Sequence, residues 1–215
     1  RDMWENLKIY SCPVIQNNFE MLPYRVMGNK DVSDPHGNLN FINALNNKLY
    51  EYAQSNNNFY VNDINYLSAN YGLEKWCDEA AWYMYKYSLA IEAIPYLASN
   101  IANIIKSLFG KNKKALAIDL DNTLWGGIIG EDGATGIELG NDNPMGQAYC
   151  EFQEYLKKLK DMGILLNVVS KNNYEDALEG LNHPDMVLKP SDFTSIKANW
   201  VDKANNIIDI ASSIN

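Results

Sequence analysis

The fold is decided by the stretch Lys114-Ala-Leu-Ala-Ile-Asp119-Leu-Asp121-Asn-Thr-Leu-Trp-Gly-Gly127. Its apolar residues 115–118 predict a short buried strand of a parallel sheet, and the two glycines then release the chain into a loop. Asp119 and Asp121 follow the strand directly, so they lie at its carboxyl end, the edge where open α/β sheets bind ligands. Residues i and i+2 of an extended segment point to the same side, so both carboxylates can face one ligand.

This pair of carboxylates suits phosphoryl transfer. One carboxylate can attack phosphorus, and the second can give a proton to the leaving oxygen and take one from water. Two adjacent negative charges need a counter-ion, and Mg2+ binds one or two carboxylates together with waters and phosphate oxygens. Thr123 is expected to brace the loop. The alternative is a solvated acidic turn that only caps the strand.

A second apolar strand is predicted over residues 163–170, and it ends at Ser170. Asn173 is a suitable N-cap for a helix over residues 174–181, so the Ser170 hydroxyl and the free N–H groups of that turn form an anion site. Lys203 lies at the start of a further helix, where it could neutralise a phosphate. The alternatives are a serine that caps its strand and a solvated lysine.

An acidic strand end, a hydroxyl strand end and a helical lysine, in that order, resemble the first three motifs of the haloacid dehalogenase-like (HAD) phosphatases. Within that superfamily the chain is similar to the FkbH-like branch over about residues 113–215. The segments that carry the resemblance are residues 119–133, 136–140, 169–172, 183–188 and 198–200.

The resemblance implies that Asp119 is the nucleophile and a ligand of Mg2+. It implies that Asp121 is the general acid/base and that its backbone carbonyl is a second metal ligand. Ser170 and Lys203 would bind the transferring phosphoryl group. Two other lysines match the position of the third motif less well: Lys189 and Lys197.

Further substrate contacts are expected from residues around the two strand ends: Leu120, Thr123, Trp125, Gly126, Gly127, Lys171, Asn172 and Trp200. For the two tryptophans, burial in the core is the alternative. Residues 125–145 are too short for a cap domain and long enough for a flap. An open site of this kind suits a macromolecular or pantetheine-borne acceptor.

The FkbH-like branch is associated with the transfer of a glyceryl unit from a phosphorylated three-carbon acid to a carrier-protein thiol, with loss of phosphate. The resemblance thus implies a Mg2+-dependent phosphatase or acyl-phosphate-dependent transferase that uses a phosphorylated small molecule and an acyl carrier protein. The superfamily's fourth motif, an acidic pair, is not reached by Asn215, so a weakly active or inactive fragment is expected. The alternatives are a simple small-molecule phosphatase and a non-catalytic carrier- or partner-binding module.

The expected fold is α/β: a three-layer parallel sheet of HAD (Rossmann-like) type without a large cap domain over residues 115–215, preceded by a partial SGNH-hydrolase-like α/β domain over residues 1–110. Residues 111–114 are the expected linker. Neither His36 nor His183 follows an aspartate by three residues, and no Gly-x-Ser-x-Gly occurs, which argues against an SGNH-type esterase. A scaffold or carrier-docking role is expected for the first domain, and the alternative is a remnant whose function lies outside this sequence.

Composition excludes several classes of function. The net charge of -9 opposes binding to nucleic acid. The apolar runs are too short and broken for a membrane span or a signal peptide. Three dispersed cysteines predict reduced thiols and a cytoplasmic protein. An acidic carrier would need a basic patch, whose candidate lysines could equally be solvated surface residues: Lys111, Lys113, Lys114, Lys157, Lys158 and Lys160.

Overall fold

The computed structural model describes residues 2–214 and divides the chain into two compact units, residues 1–112 and 113–215. The boundary falls within the segment expected to be a linker. Within residues 2–214, every helix is too short or too polar to cross a membrane. The two units are described separately.

The first unit contains a pair of parallel strands with helices after each strand. Val14 pairs with Phe59 and Asn17 with Asn62. A small buried cluster forms around Trp76, at the end of a short helix. In chain order the elements are α1 (Asp2–Leu7), β1 (Val14–Asn17), α2 (Asn38–Gln54), β2 (Phe59–Asn62), α3 (Ile64–Tyr71), α4 (Leu73–Trp76), α5 (Glu79–Tyr85) and α6 (Ile94–Leu108), with 3-10 turns at Lys8–Tyr10, Gly28–Val32 and Ile91–Ala93.

The N-terminal end of helix α2 is capped by a side chain from the preceding segment. It begins after Gly37, which has no side chain to cap the helix, and the buried Asp31 instead accepts a hydrogen bond from the Leu39 N–H at 2.7 Å. A Cβ on Gly37 would lie 1.9 Å from the Asp31 carbonyl oxygen. Glycine is therefore required where the two segments meet.

The second unit is an α/β fold around a three-stranded parallel sheet of order β3-β4-β5. This confirms the expected Rossmann-like fold of HAD type. The strand β5 was not predicted from the sequence. In chain order the elements are β3 (Ala115–Ile118), α7 (Ile129–Asp132), α8 (Pro144–Asp161), β4 (Leu165–Ser170), α9 (Tyr174–Leu181), β5 (Phe193–Ala198) and α10 (Lys203–Ser213), with a 3-10 turn at Pro190–Asp192.

The buried face of α8 differs from the sequence expectation. The pattern predicts a buried stripe of Ala148, Phe152, Tyr155 and Leu159. Phe152 and Tyr155 are instead 40% and 56% exposed, while Gln153 and Leu156 are buried. The predicted stripe was wrong because the helix places a glutamine, not an apolar residue, at the centre of its inner face.

Gln153 is fully buried because it satisfies three backbone groups of other segments. Its Nε2 donates to the Leu124 carbonyl at 2.7 Å. Its Oε1 accepts from the N–H groups of Val187 and Leu188 at 2.9 and 3.1 Å. These bonds tie α8 to the loop after β3, which carries the two aspartates.

The segment of residues 125–145, expected as a flap, is a folded loop packed on the core. Gly126 and Glu138 exchange backbone hydrogen bonds of 3.1 and 2.9 Å, and α7 forms between them. Ile129, Ile137 and Leu139 are buried in the same cluster as Trp125. This packing holds the loop in one position beside the two aspartates.

Candidate active site

Three elements bring polar side chains together on Asp119. Asp119 follows β3, Ser170 ends β4 and Lys203 begins α10. Parallel strands end at one edge of the sheet, so these side chains meet there. The Ser170 hydroxyl donates to Asp119 Oδ1 at 2.8 Å, and the Lys203 ammonium donates to Asp119 Oδ2. The Leu120 N–H also donates to Oδ1, at 2.9 Å.

These contacts keep Asp119 ionised. Partial burial by itself would raise the pKa of the Asp119 carboxyl. The hydrogen bonds from Lys203, Ser170 and the Leu120 N–H outweigh burial, and with the Lys203 charge they hold the pKa below its ordinary value. A carboxylate that stays ionised at neutral pH is suited to act as a nucleophile or a metal ligand.

Asp121 is held by three N–H donors from two loops. Its Oδ1 accepts from Trp125 Nε1 at 3.0 Å and from the Ile129 N–H at 3.1 Å. Its Oδ2 accepts from Asn172 Nδ2 at 2.9 Å, and the same amide lies 3.2 Å from Ser170 Oγ. Asn172 therefore links the two aspartates through Ser170.

A tight turn places both aspartates at the sheet edge. The N–H groups of Thr123 and Leu124 donate to the Leu120 carbonyl at 3.1 and 2.8 Å. Asn122 has a φ of 53°, in the left-handed region where asparagine is among the most tolerated residues. Its side-chain oxygen accepts from the Gly127 N–H at 3.1 Å, which closes the turn.

The other expected substrate residues differ in how accessible they are. Leu120 and Trp125 are fully buried, and the structure favours the core alternative for Trp125. Gly126 is buried, so it reaches the site at most through its backbone. Thr123 is half-buried, so its side chain reaches the site at most in part. Lys171 is exposed directly after Ser170.

Trp200 is the exposed tryptophan beside the site. It is 71% exposed, and its Nε1 donates to Asn173 Oδ1 at 3.1 Å. Asn173 occupies the N-cap position of α9, as expected, but its side chain makes no cap hydrogen bond. Since the indole N–H is already bonded, a ligand would meet the ring face of Trp200.

The two rival lysines have partners elsewhere. Lys189 Nζ donates to the His183 carbonyl at 3.2 Å, and Lys197 pairs with Asp209. Lys203 is therefore the lysine that the structure places at Asp119.

The residues present fit a Mg2+ ion. Within residues 2–214, no group of three or more His, Cys, Asp or Glu side chains could hold a metal. Mg2+ does not need one, since it often takes one or two carboxylates and completes its shell with waters and phosphate oxygens. Three donors use three of about four lone-pair positions of the Asp119 carboxylate, which leaves one for a cation.

The fold and this arrangement of strand-end residues define an α/β protein of HAD type. Residues 1–106 match the family described as FkbH, N-terminal domain. The crystal structure of the N-terminal part of BF1531 from Bacteroides fragilis, containing a phosphatase domain complexed with Mg, is similar over the whole chain, with 34% identity and a TM-score of 0.88. The chain spans 58% of the length of that protein chain. No curated protein matches. The first half of the chain is thus similar to an FkbH N-terminal domain, and the whole chain has the fold of a structure that contains a phosphatase domain.

Proposed function

We propose that this chain carries the catalytic residues of a Mg2+-dependent phosphatase or phosphotransferase of HAD type, with Asp119 as the nucleophile. The observation that carries the proposal is the convergence of Ser170 and Lys203 on opposite oxygens of the Asp119 carboxylate. A hydroxyl and an ammonium at this place can bind the oxygens of a phosphoryl group that approaches Asp119.

The reaction proceeds in two steps. An oxygen of Asp119 forms a bond to phosphorus while the bond from phosphorus to the leaving oxygen breaks, and Asp121 gives a proton to that oxygen. Asp121 then takes a proton from the acceptor, which attacks phosphorus and releases the Asp119 carboxylate. Lys203 and Ser170 hold the phosphoryl oxygens throughout.

Asp119 and the backbone carbonyl of Asp121 are the proposed ligands of Mg2+. The support for this ion is the Mg in the related phosphatase-domain structure and the free position on Asp119. When bound, Mg2+ would neutralise charge on the carboxylates and the phosphoryl group.

The finer proposal concerns the substrate. The resemblance to the FkbH-like branch supports a phosphorylated three-carbon acid as donor and a carrier-protein thiol as acceptor of the glyceryl unit. In that transfer the acceptor does not attack phosphorus: the thiol sulfur attacks the carbonyl carbon of an acyl phosphate and gives its proton to Asp121, the bond from that carbon to the phosphate oxygen breaks, and phosphate leaves. The thiol must therefore reach the carboxyl edge of the sheet, where Lys171 and Trp200 are exposed. A simple phosphatase, with water as the acceptor, uses the same residues.

The candidate lysines for carrier docking lie elsewhere on the second unit. Lys113 and Lys114 precede β3, and Lys158 and Lys160 lie in the last turn of α8. A helix that connects parallel strands runs back to their amino ends, so these lysines belong to the edge opposite Asp119. At 1.5 Å per residue, the 18 residues of α8 span about 27 Å, so the lysines of its last turn lie far from its first turn. A carrier bound there would not present its thiol to the site.

The test measures inorganic phosphate released from candidate three-carbon phosphates with Mg2+, by the wild type and by Asp119→Asn. We expect slow, measurable release by the wild type, in line with a weakly active fragment, and a loss of roughly a thousandfold or more in the variant. Equal release by both would refute Asp119 as the nucleophile. A carrier protein included in the same assay is then weighed by mass spectrometry. A mass gain indicates acyl transfer, and phosphate release without a gain indicates hydrolysis.

A further inference from the structure

We propose that Trp125 is a positioning residue for Asp121, which it orients from behind the site, and that it does not contact substrate. The inference rests on the proposed function, because it concerns the group assigned there as the general acid/base. It assigns a role to a buried side chain that sequence reasoning placed among the substrate contacts.

The geometry separates the two oxygens of Asp121. Oδ1 accepts two hydrogen bonds, from Trp125 Nε1 and from the Ile129 N–H. An indole N–H and a backbone N–H are donors only, so Oδ1 is committed to these two partners. Oδ2 lies on the side of Asn172 and Ser170, toward the residues proposed to bind the phosphoryl group. The carboxylate therefore has a back oxygen and a front oxygen.

Trp125 is itself fixed in place by close packing. It is fully buried, and helix α9 passes it at Gly180. A Cβ on Gly180 would lie 2.8 Å from Trp125 Cη2 and 2.7 Å from Ile129 Cδ1. Since real Cβ contacts are longer, Gly180 lets α9 press on the two residues that hold Oδ1. The indole ring and the end of the Ile129 side chain therefore lie directly against α9.

The direction of Oδ2, the front oxygen, is therefore set by the hydrogen bond that Trp125 donates to Oδ1 on the other side of the carboxylate. Without the indole donor, Oδ1 keeps only the Ile129 N–H, and the carboxylate is held by two donors, Ile129 and Asn172, rather than three, so its plane can tilt. A general acid must be held within hydrogen-bond reach of the leaving oxygen, so this tilt lowers the rate of the chemical step and leaves binding through Ser170 and Lys203 intact.

The first test is Trp125→Phe, which keeps an aromatic ring and removes the N–H donor. With the full chain and Mg2+, we expect kcat for phosphate release to fall roughly tenfold or more, with KM changed by less than about twofold. Gly180→Ala, which pushes on both Trp125 and Ile129, should lower kcat in the same way. The matched control is Gly130→Ala in α7, where a Cβ meets nothing within 4 Å, and it should match the wild type.

A second readout does not depend on activity. The indole N–H signal of Trp125 in a 1H–15N NMR spectrum is identified by its loss in Trp125→Phe. Asp121→Ala should shift that signal and leave the signal of Trp76, in the other unit, unchanged.

The outcomes separate the inference from the proposed function. If Asp119→Asn abolishes phosphate release but Trp125→Phe and Gly180→Ala keep the wild-type kcat, the positioning role is wrong and the proposed function stands. If Asp119→Asn releases phosphate as the wild type does, the proposed function is wrong. If Asp121→Ala leaves the Trp125 indole signal unchanged, the contact between Trp125 and Asp121 is refuted. Should Trp125→Phe fail to fold, Gly180→Ala decides the kinetic test, and the Trp125 indole signal is identified as the one of five that remains unassigned after Trp→Phe variants at the other four tryptophans.

Discussion

Each oxygen of Asp119 has a different kind of partner, and this difference decides which substitutions matter. Oδ1 accepts from Ser170 and from a backbone N–H, whereas Oδ2 faces the charge of Lys203. The backbone donor is the Leu120 N–H, which belongs to the main chain and is not changed when a side chain is replaced. The hydroxyl and the ammonium are the two groups that substitution can remove, and the ammonium alone carries charge.

Lys203→Met tests the role of that charge. We expect kcat/KM for phosphate release to fall roughly a hundredfold or more, because the variant loses both the orientation of Asp119 and a cation for the phosphoryl group. Lys197→Met is the matched control, since Lys197 pairs with the exposed Asp209, which lies more than one helix turn after Lys203 along α10. The control should keep wild-type kinetics. Equal losses in both variants would show that Lys203 acts only through general charge or stability.

The residue scale also shows what sequence can predict of a site. The two aspartates, Ser170 and Lys203 follow a strand-end and helix-start pattern that is visible in the letters alone. The contact of Trp125 with Asp121 is not visible, because it depends on a turn closed by Asn122 in a left-handed conformation. In a loop, two residues at positions i and i+4 have no fixed distance from each other until the conformation of the turn is known.

At the scale of elements, β3 and β4 were predictable because each is an apolar run that ends at a polar residue. Helix α8 was predictable because it begins at a proline. Strand β5 was missed because Thr194 and Lys197 interrupt its apolar character. The loop after β3 was misjudged for the opposite reason: many Gly, Asn and Asp residues suggested a flap, while four apolar residues among them are buried in the core. Composition describes a segment on average, whereas packing depends on a few positions.

Gln153→Leu measures how strongly α8 depends on its buried glutamine. The substitution keeps the volume roughly and leaves one carbonyl and two N–H groups of the backbone without a partner. We expect the free energy of unfolding in urea to fall by about 2–4 kcal/mol. Gln147→Leu is the matched control on the same helix: Gln147 is exposed and makes one hydrogen bond to the Asn141 carbonyl. Its variant should lose less than about 1 kcal/mol.

The ion pair of Lys160 with Asp192 joins α8 to the turn before β5, with 2.5 Å between Nζ and Oδ1. Burial would raise the pKa of Asp192, but the bonds from Lys160 and from the Lys189 N–H hold it below its ordinary value. A lowered carboxyl pKa stabilises the fold above the ordinary value of 3.8, and that stabilisation is lost as pH falls through the folded-state pKa.

Asp192→Asn should therefore destabilise the protein by about 1 kcal/mol near pH 7, a modest figure because Lys160 is partly exposed and solvent screens the pair. Urea unfolding of wild type and variant from pH 7 to pH 3 should show the difference shrinking as pH falls below about 4. A difference that stays constant with pH would mean that the loss comes from packing and not from charge.

At the scale of the molecule, the two units differ in how much apolar surface each buries. The second unit packs one large cluster around the sheet, and Leu166 and Val168 at its centre are fully buried. In the first unit the cluster around Trp76 is small, and α6 has an apolar face with no fully buried residue. Because apolar burial is the dominant source of stability, the units should differ in their free energy of opening.

Hydrogen exchange followed by mass spectrometry can measure that difference in the intact chain. The amides of β4 lie between two parallel neighbours and above buried side chains on both faces, so we expect peptides covering Leu165–Ser170 to exchange slowest. Peptides covering Val14–Asn17, a strand with no buried residue in a two-stranded sheet, should exchange at least about tenfold faster. Both segments are strands with backbone hydrogen bonds, so secondary structure does not explain such a ratio. Equal protection would mean that the two units open together, and that the stability of each is supplied by the other.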